Sequence, residues 1–309
     1  MKYRLGDIAK LYYGKMPTKE LIGTGNYRAF SGYQYLGAYP ISNTPANTLV
    51  VVARGVGGTG DVKFIDTPVF LTNLSIAIEL EDALSARYLY WKYYLTGFNH
   101  LRSGSAQPQI TIAHLSNEII DLPSSEEMQK RITLLDTIDK KLSVNNQIND
   151  YLTQVASAIY HKTLEELPTC DMLLADVATV RYGKGLSKKD LTEEGYPVFG
   201  GNGQIGFYTS YLFEDPQILI SCRGAASGNI MISLPKSYVT SNSLIIELED
   251  RRYYEWLKQH FLANQLHGFV TGSAQPQITV DNLKFLTVPF PEYSDIVDTD
   301  TQLRHLSDY

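Results

Sequence analysis

A chain of 309 residues, 44% hydrophobic and 19% charged, has the composition of a packed globular protein and a length that suggests two domains. Its net charge of −6 excludes a uniformly basic surface, so a polyanion partner would need a local basic face. The longest apolar run, Leu49–Ala53, is far short of the ~20 residues that cross a bilayer, and no apolar core follows the N-terminal basic residues, so a soluble cytoplasmic protein is expected.

The first copy of a repeated pattern begins at Leu5–Ala9 and reaches a Gly-Lys pair at Lys15. The run Leu49–Ala53 is short, β-branched and bounded by turn residues, which predicts a buried strand. It ends in an Arg-Gly turn at Arg54, followed by Gly55, Gly57, Gly58 and Gly60. Residues 84–101 carry aromatics and leucines at helical spacing. GSAQPQIT at 104–111 then leads through a polar turn and a short strand to Pro123.

Residues 125–165 contain no Gly or Pro and predict one long amphipathic helix, N-capped at Ser124 or Ser125 with acidic residues in its first turn. Met128, Ile132, Leu135, Ile138, Leu142, Ile148, Leu152, Val155 and Ile159 fall mostly three or four apart, giving a coiled-coil-like seam. Asn145 occupies a seam position, where a buried amide can fix register. Such a stripe needs burial, either against its own domains or against another helix.

The second copy then repeats the first. Leu5–Ala9 corresponds to Leu174–Ala178, Lys15 to Lys184, Phe30–Gly32 to Phe199–Gly201 and Leu49–Gly55 to Ile218–Gly224. Ile78–Asp82 returns as Ile246–Asp250, and Arg87, Tyr88 and Trp91 return as Arg252, Tyr253 and Trp256. GSAQPQIT recurs without a change at 272–279. The offset drifts between 165 and 169, as loop insertions make it drift. The expected organisation is 1–123 and 169–291 as homologous domains, 124–168 as a helix between them, and 292–309 as a short acidic tail. That tail carries one arginine and five acidic residues and has no sustained heptad.

No catalytic constellation is visible. Neither Gly14-Lys15 nor Gly183-Lys184 has the upstream glycine of a phosphate-binding Walker loop, and the six histidines and two cysteines lack metal spacing. Binding chemistry is better represented. Lys15, Lys19, Lys184, Lys188 and Lys189 suit phosphate. The forks of Arg54 and Arg223 suit phosphate or guanine, and the amides of Asn73 and Asn242 suit adenine. Arg28, Gly55 and Asn202 complete the candidate set; Asn202 sits in FGGNG, which reads better as a turn than as a cofactor loop. Solvated lysines and structural turns account equally well for any one of these residues. Recurrence of the set in both copies favours binding. GSAQPQIT reads as a shaped turn whose glutamines satisfy backbone groups, with a glutamine reaching DNA as the alternative.

The duplication, the repeated segment, Pro123 and Pro291 after it, and the helix led by EEMQKRI together resemble the specificity subunit of type I restriction–modification systems. The resemblance covers residues 1–291. It implies an α+β fold, with two homologous mixed α/β target recognition domains joined by a long coiled-coil-like helix. It also implies that each domain binds one half of a bipartite double-stranded DNA target, with Arg54 and Arg223 each governing one half. The helix would be the spacer and the docking site for methylation subunits, which would hold S-adenosylmethionine and connect to the restriction and translocation subunit. This chain would then be non-catalytic and hold no cofactor. Members of the family carry a second long helix after the second domain, which the acidic tail does not match. The unpartnered seam is therefore expected to pair with another chain, including a second copy. A protein-interaction scaffold that binds methylation subunits without reading DNA is the alternative.

Overall fold

The computed structural model describes every residue except Tyr33, Val56, Gly57, Ser105, Ala106, Ser273, Ala274, Asp308 and Tyr309. Gly57 of the arginine turn, and two residues in each copy of GSAQPQIT, therefore lie outside the described residues. The chain divides into two compact units, Met1–Val144 and Asn145–Tyr309. Four helices of ten residues or more are described: α1 (Ala83–Tyr93), α2 (Ser125–Glu166), α3 (Tyr254–Ala263) and α4 (Tyr293–Ser307).

The two units repeat the same sheets strand for strand. In the first, Ala9–Tyr13, Ser75–Leu80, Thr48–Val52 and Val62–Ile65 form an antiparallel sheet in that spatial order. Beside it lies a three-stranded sheet of Gln34–Tyr39, Tyr27–Ser31 and Val69–Leu71, whose last pair is parallel. In the second unit the same orders recur as Ala178–Tyr182, Ser243–Leu248, Ile218–Ser221, Ile230–Ile232, and as Gly203–Tyr208, Tyr196–Gly200, Tyr238–Val239. Even the bulge is shared: register shifts at Ala29/Phe30 in one copy and at Val198/Phe199 in the other. A bulge is a defined feature rather than noise, so its recurrence marks common descent of the two backbones.

The predicted buried strand is the centre of each core. Leu49–Val52 and Ile218–Ser221 are buried along their whole length because sheet or helix covers both faces. Their outer faces meet α1 or α3, which contribute Leu89 and Leu257, both fully buried. Lys2–Arg4 pairs with Ile119–Asp121, and Cys170–Leu173 with Thr287–Phe290, so each unit's first strand is closed by its last.

Helix α2 runs for 42 residues, about 63 Å at ~1.5 Å per residue. Ser124 Oγ accepts from Glu127 N at 3.3 Å, the predicted cap. Its seam divides into three parts. Met128 and Ile132 are buried in the first unit's core, and Leu135 is half-buried beside Asp136. Ile138, Leu142, Asn145 and Ile148 are all exposed. In the second unit Leu152 and Ile159 are half-buried and Val155 is exposed, while Ala156 and Tyr160 are buried. The two ends of the stripe thus find burial within the chain, and the middle does not.

Each unit holds its part of α2 by an aromatic anchor at equivalent sequence positions, made differently. In the first, Trp91 Nε1 donates to Asp136 Oδ1 at 2.6 Å, and Arg87 donates to the same oxygen at 2.9 and 2.7 Å. In the second, Trp256 Nε1 donates to the Pro289 carbonyl at 2.8 Å, and its ring lies 4.7 Å from that of Tyr160. The Tyr160 hydroxyl meets His260 Nδ1 at 2.8 Å. Burial holds the imidazole down at about 4 against the opposing pull of Asp171, so His260 is neutral at pH 7. Because the folded value lies below the ordinary 6.5, this group's stabilisation is complete above pH ~6.5 and is lost as pH falls toward 4. Between pH 7 and pH 5 the second unit should lose up to about 2 kcal/mol from this source. Thermal unfolding of His260→Gln should show a shallower acid dependence than the unsubstituted chain. Parallel curves would contradict the assignment.

Residues after 291, expected as a short acidic tail where the family's second long helix would begin, are mostly helical. Tyr293–Ser307 is helix α4, with Ile296 and Leu303, seven apart, fully buried. The acidity does not oppose the helix: Asp295 lies in its first turn and Arg304 and His305 in its last, each favourable to the helix dipole. Asp300 is buried and is held by Arg304, one turn on, at 2.8 Å. Two buried positions and an internal ion pair suffice for a helix seated on a folded unit, without a sustained heptad.

Candidate nucleic-acid interface

In each unit the chain makes a tight passage between its two sheets, and part of the candidate set gathers there. Gly14 follows the first long strand, and its N–H donates to Ser75 O at 3.2 Å while Lys15 N donates to Leu71 O at 2.9 Å. The backbone passes so close that a Cβ on Gly14 would sit 2.2 Å from Leu71 O, and one on Gly183 would sit 2.4 Å from Val239 O and Thr240 O. Only glycine permits that approach. The Gly-Lys pair is thus a structural crossing that leaves Lys15 and Lys184 exposed just beyond it.

The same crossing positions the asparagines and arginines. Asn73 lies in the link between Leu71 and Ser75, and Ala53 N donates to Leu74 O at 2.8 Å, so Arg54 emerges next to that link. In the second unit Cys222 N donates to Asn242 O at 3.1 Å, with Arg223 following, and Lys184 N donates to Val239 O at 3.0 Å. A Cβ on Gly201 would lie 3.1 Å from Asn242 O, which brings Asn202 to the same place. Lys15, Arg54, Gly55 and Asn73 therefore form one group, and Lys184, Asn202, Arg223 and Asn242 its counterpart. Arg54, Gly55, Arg223, Asn202 and Asn242 are exposed, and Asn73 is half-buried.

Lys19, Lys188 and Lys189 stand apart from these groups. They lie on single helical turns, Lys19–Leu21 and Lys188–Asp190, beside the outer strand of each three-stranded sheet. The anchors are Gly23 N to Ala38 O at 2.9 Å and Thr192 N to Phe207 O at 2.9 Å. Arg28 is already engaged, donating to Asp66 at 2.9 Å and Thr67 at 2.8 Å. Lys63, which the sequence did not single out, lies 3.9 Å from the centre of the Phe30 ring. Burial and the Arg28 charge both pull its ammonium below the ordinary value. Among the described residues, the side chains of Lys15, Lys19, Lys184, Lys188, Lys189, Arg54 and Arg223 make no ion pair.

The repeated octapeptide braces the arginine turn. Ser103 and Gln109 exchange backbone hydrogen bonds at 3.0 and 2.9 Å, and Thr271 and Gln277 do so at 2.8 and 2.9 Å. Gly104 and Gly272 take φ of +88° and +86°, which lets the loop turn back on itself. Ile110 N donates to Ala53 O and Ile278 N to Cys222 O, with both isoleucine side chains buried. The segment is a shaped turn as expected, but the backbone of Gln109 and Gln277 makes it. Among the described residues no glutamine side chain in it forms a hydrogen bond.

No group of three or more His, Cys, Asp or Glu among the described residues is arranged to hold a metal ion, and no described helix is long and apolar enough to cross a membrane. The fold, two copies of one mixed unit with a long helix in the sequence between them, is also that of the type I restriction–modification S subunit from M. genitalium. The two superpose with a TM-score of 0.72 over 100% of this chain and 89% of that one, at 20% identity. The family model of the type I restriction modification DNA specificity domain matches residues 1–154 and 171–302, and the chain belongs to that family. It is 26% identical over 123 residues to the type I restriction enzyme EcoprrI specificity subunit of Escherichia coli. It is also 37% identical over 59 residues to the HindI specificity subunit of Haemophilus influenzae. These stretches cover 38% and 19% of this chain, and 31% and 13% of those relatives.

Proposed function

We propose that the chain is a non-catalytic, cytoplasmic DNA-specificity subunit, each unit binding one half of a bipartite duplex target. The observation that carries this reading is the convergence, twice in one chain, of an exposed lysine, an exposed arginine and an asparagine at the crossing between the two sheets. Lysine and arginine suit phosphates, and exposed amides suit base edges, so each group combines positioning with readout. The two units differ on the three-stranded sheet, where Arg28 and Tyr35 in one stand against Pro197 and Gln204 in the other. That difference supports two distinct half-sites. Lys19, Lys188 and Lys189 extend the basic flank toward the DNA backbone.

Helix α2 acts as the spacer. Its bare central stripe of Ile138, Leu142 and Ile148 supports docking of methylation subunits, which would carry S-adenosylmethionine and engage the restriction and translocation subunit. Asn145 lies among them and would set register in such a contact. A scaffold that binds methylation subunits and ignores DNA would need the same stripe but not the paired basic groups. Selection of bound sequences from randomised duplexes, using the chain assembled with methylation subunits, tests the reading. Two defined segments separated by an undefined stretch are expected.

A further inference from the structure

The octapeptide is the longest motif shared without change by both units, and a DNA-reading role for each unit leaves it unexplained. Gln109 pairs on one side with Ser103 and on the other with Arg54; Gln277 pairs in the same way with Thr271 and Arg223. Residues directly opposite in antiparallel pairing project side chains on the same face. The arginine pair is the kind without mutual hydrogen bonds, as Ile110 N to Ala53 O and Gly224 N to Pro276 O show, and such pairs stand closest. Each unit therefore presents a row of guanidinium, carboxamide and hydroxyl, in the order Arg54, Gln109, Ser103 and Arg223, Gln277, Thr271.

The row is held from behind. Thr59 Oγ1 donates to Pro108 O at 3.3 Å and Ser227 Oγ to Pro276 O at 3.0 Å, fixing the loop against the arginine turn in both units. The side chains of Gln109, Gln277, Arg54 and Arg223 make no hydrogen bond among the described residues, so their ends remain available, whereas the Ser103 and Thr271 hydroxyls already donate to Gln109 O at 3.2 Å and Gln277 O at 3.4 Å.

Resting on the DNA-binding reading above, we infer that each row grips the sugar–phosphate backbone of the duplex and reads no base. The row contains no carboxylate. Its free ends, arginine and amide, are side chains that donate to phosphate oxygens. Two half-sites of different sequence share only their backbone, so a row kept identical at the arginine and the glutamine matches what the half-sites share. This moves Arg54 and Arg223 from base reading, which the arginine fork alone suggests, to positioning.

The test is DNA binding by the assembled complex, measured across salt with the selected target and with unrelated duplex. Gln109→Ala and Gln277→Ala keep the backbone pairing and should weaken binding to both duplexes by the same factor. Arg54→Gln should weaken both roughly tenfold and lower the slope of log affinity against log salt by about one. A changed preference at one half-site would assign the row to base reading and overturn the inference. Unchanged affinity in all variants would reduce the row to a structural turn and also overturn it. If the unsubstituted complex bound no DNA, the proposed function itself would fall, a result distinct from either.

Discussion

Replacing Trp256 with alanine lowers the unfolding midpoint of the second unit by roughly 10 °C, while Trp91→Ala costs the first unit much less. Trp256 is 1% exposed, packs on the fully buried Tyr160 of α2, and satisfies the Pro289 carbonyl. Truncation leaves a cavity and an unpaired carbonyl, a combination worth about 3–5 kcal/mol. At 2–4 °C per kcal/mol for a unit of this size, that gives the stated shift. Trp91 is only half-buried, and Arg87 continues to hold Asp136 after its loss, so about 1–2 kcal/mol is expected there. Calorimetry of the two variants makes the comparison; equal losses would show that the two anchors are equivalent after all.

The second large effect concerns the bare middle of α2. Ile138 is 46% exposed, Leu142 58% and Ile148 47%, three members of one stripe left in water. Burying such side chains contributes about 1.5–3 kcal/mol each, which drives association with another helix. Alone in solution, the chain should self-associate at micromolar concentration. Leu142→Glu with Ile148→Glu should weaken that association at least a hundredfold. Because both positions are exposed, the thermal midpoint of the dissociated chain should stay unchanged. Light scattering decides the point: a strict monomer across micromolar concentrations in the unsubstituted chain would contradict it.

Much of this was legible in the residues. The repeat placed both copies, the β-branched run Leu49–Ala53 marked the central strand, and the Gly/Pro-free stretch 125–165 marked the helix to within a residue. The site was legible in part. Recurrence selected Lys15, Arg54 and Asn73 with their counterparts, and the sheet crossing brings them together. Recurrence could not show that Arg28 is tied to Asp66, or that Lys19 lies on a separate turn, because both depend on pairing between strands distant in sequence. The row was hidden for the same reason. Gln109 is 55 residues from Arg54, and only the fold makes them neighbours. Helix α4 escaped the pattern because its burial comes from the unit beneath it, not from a heptad.

Under the proposed function, each unit reads its own half of one DNA target. Sequence selection from randomised duplexes, run on the unsubstituted complex and on one carrying Asn202→Ala and Asn242→Ala, tests it most directly. A split motif is expected in the first case and, in the second, relaxation of one half alone. A continuous motif, or a substitution in the second unit that alters both halves together, would contradict it.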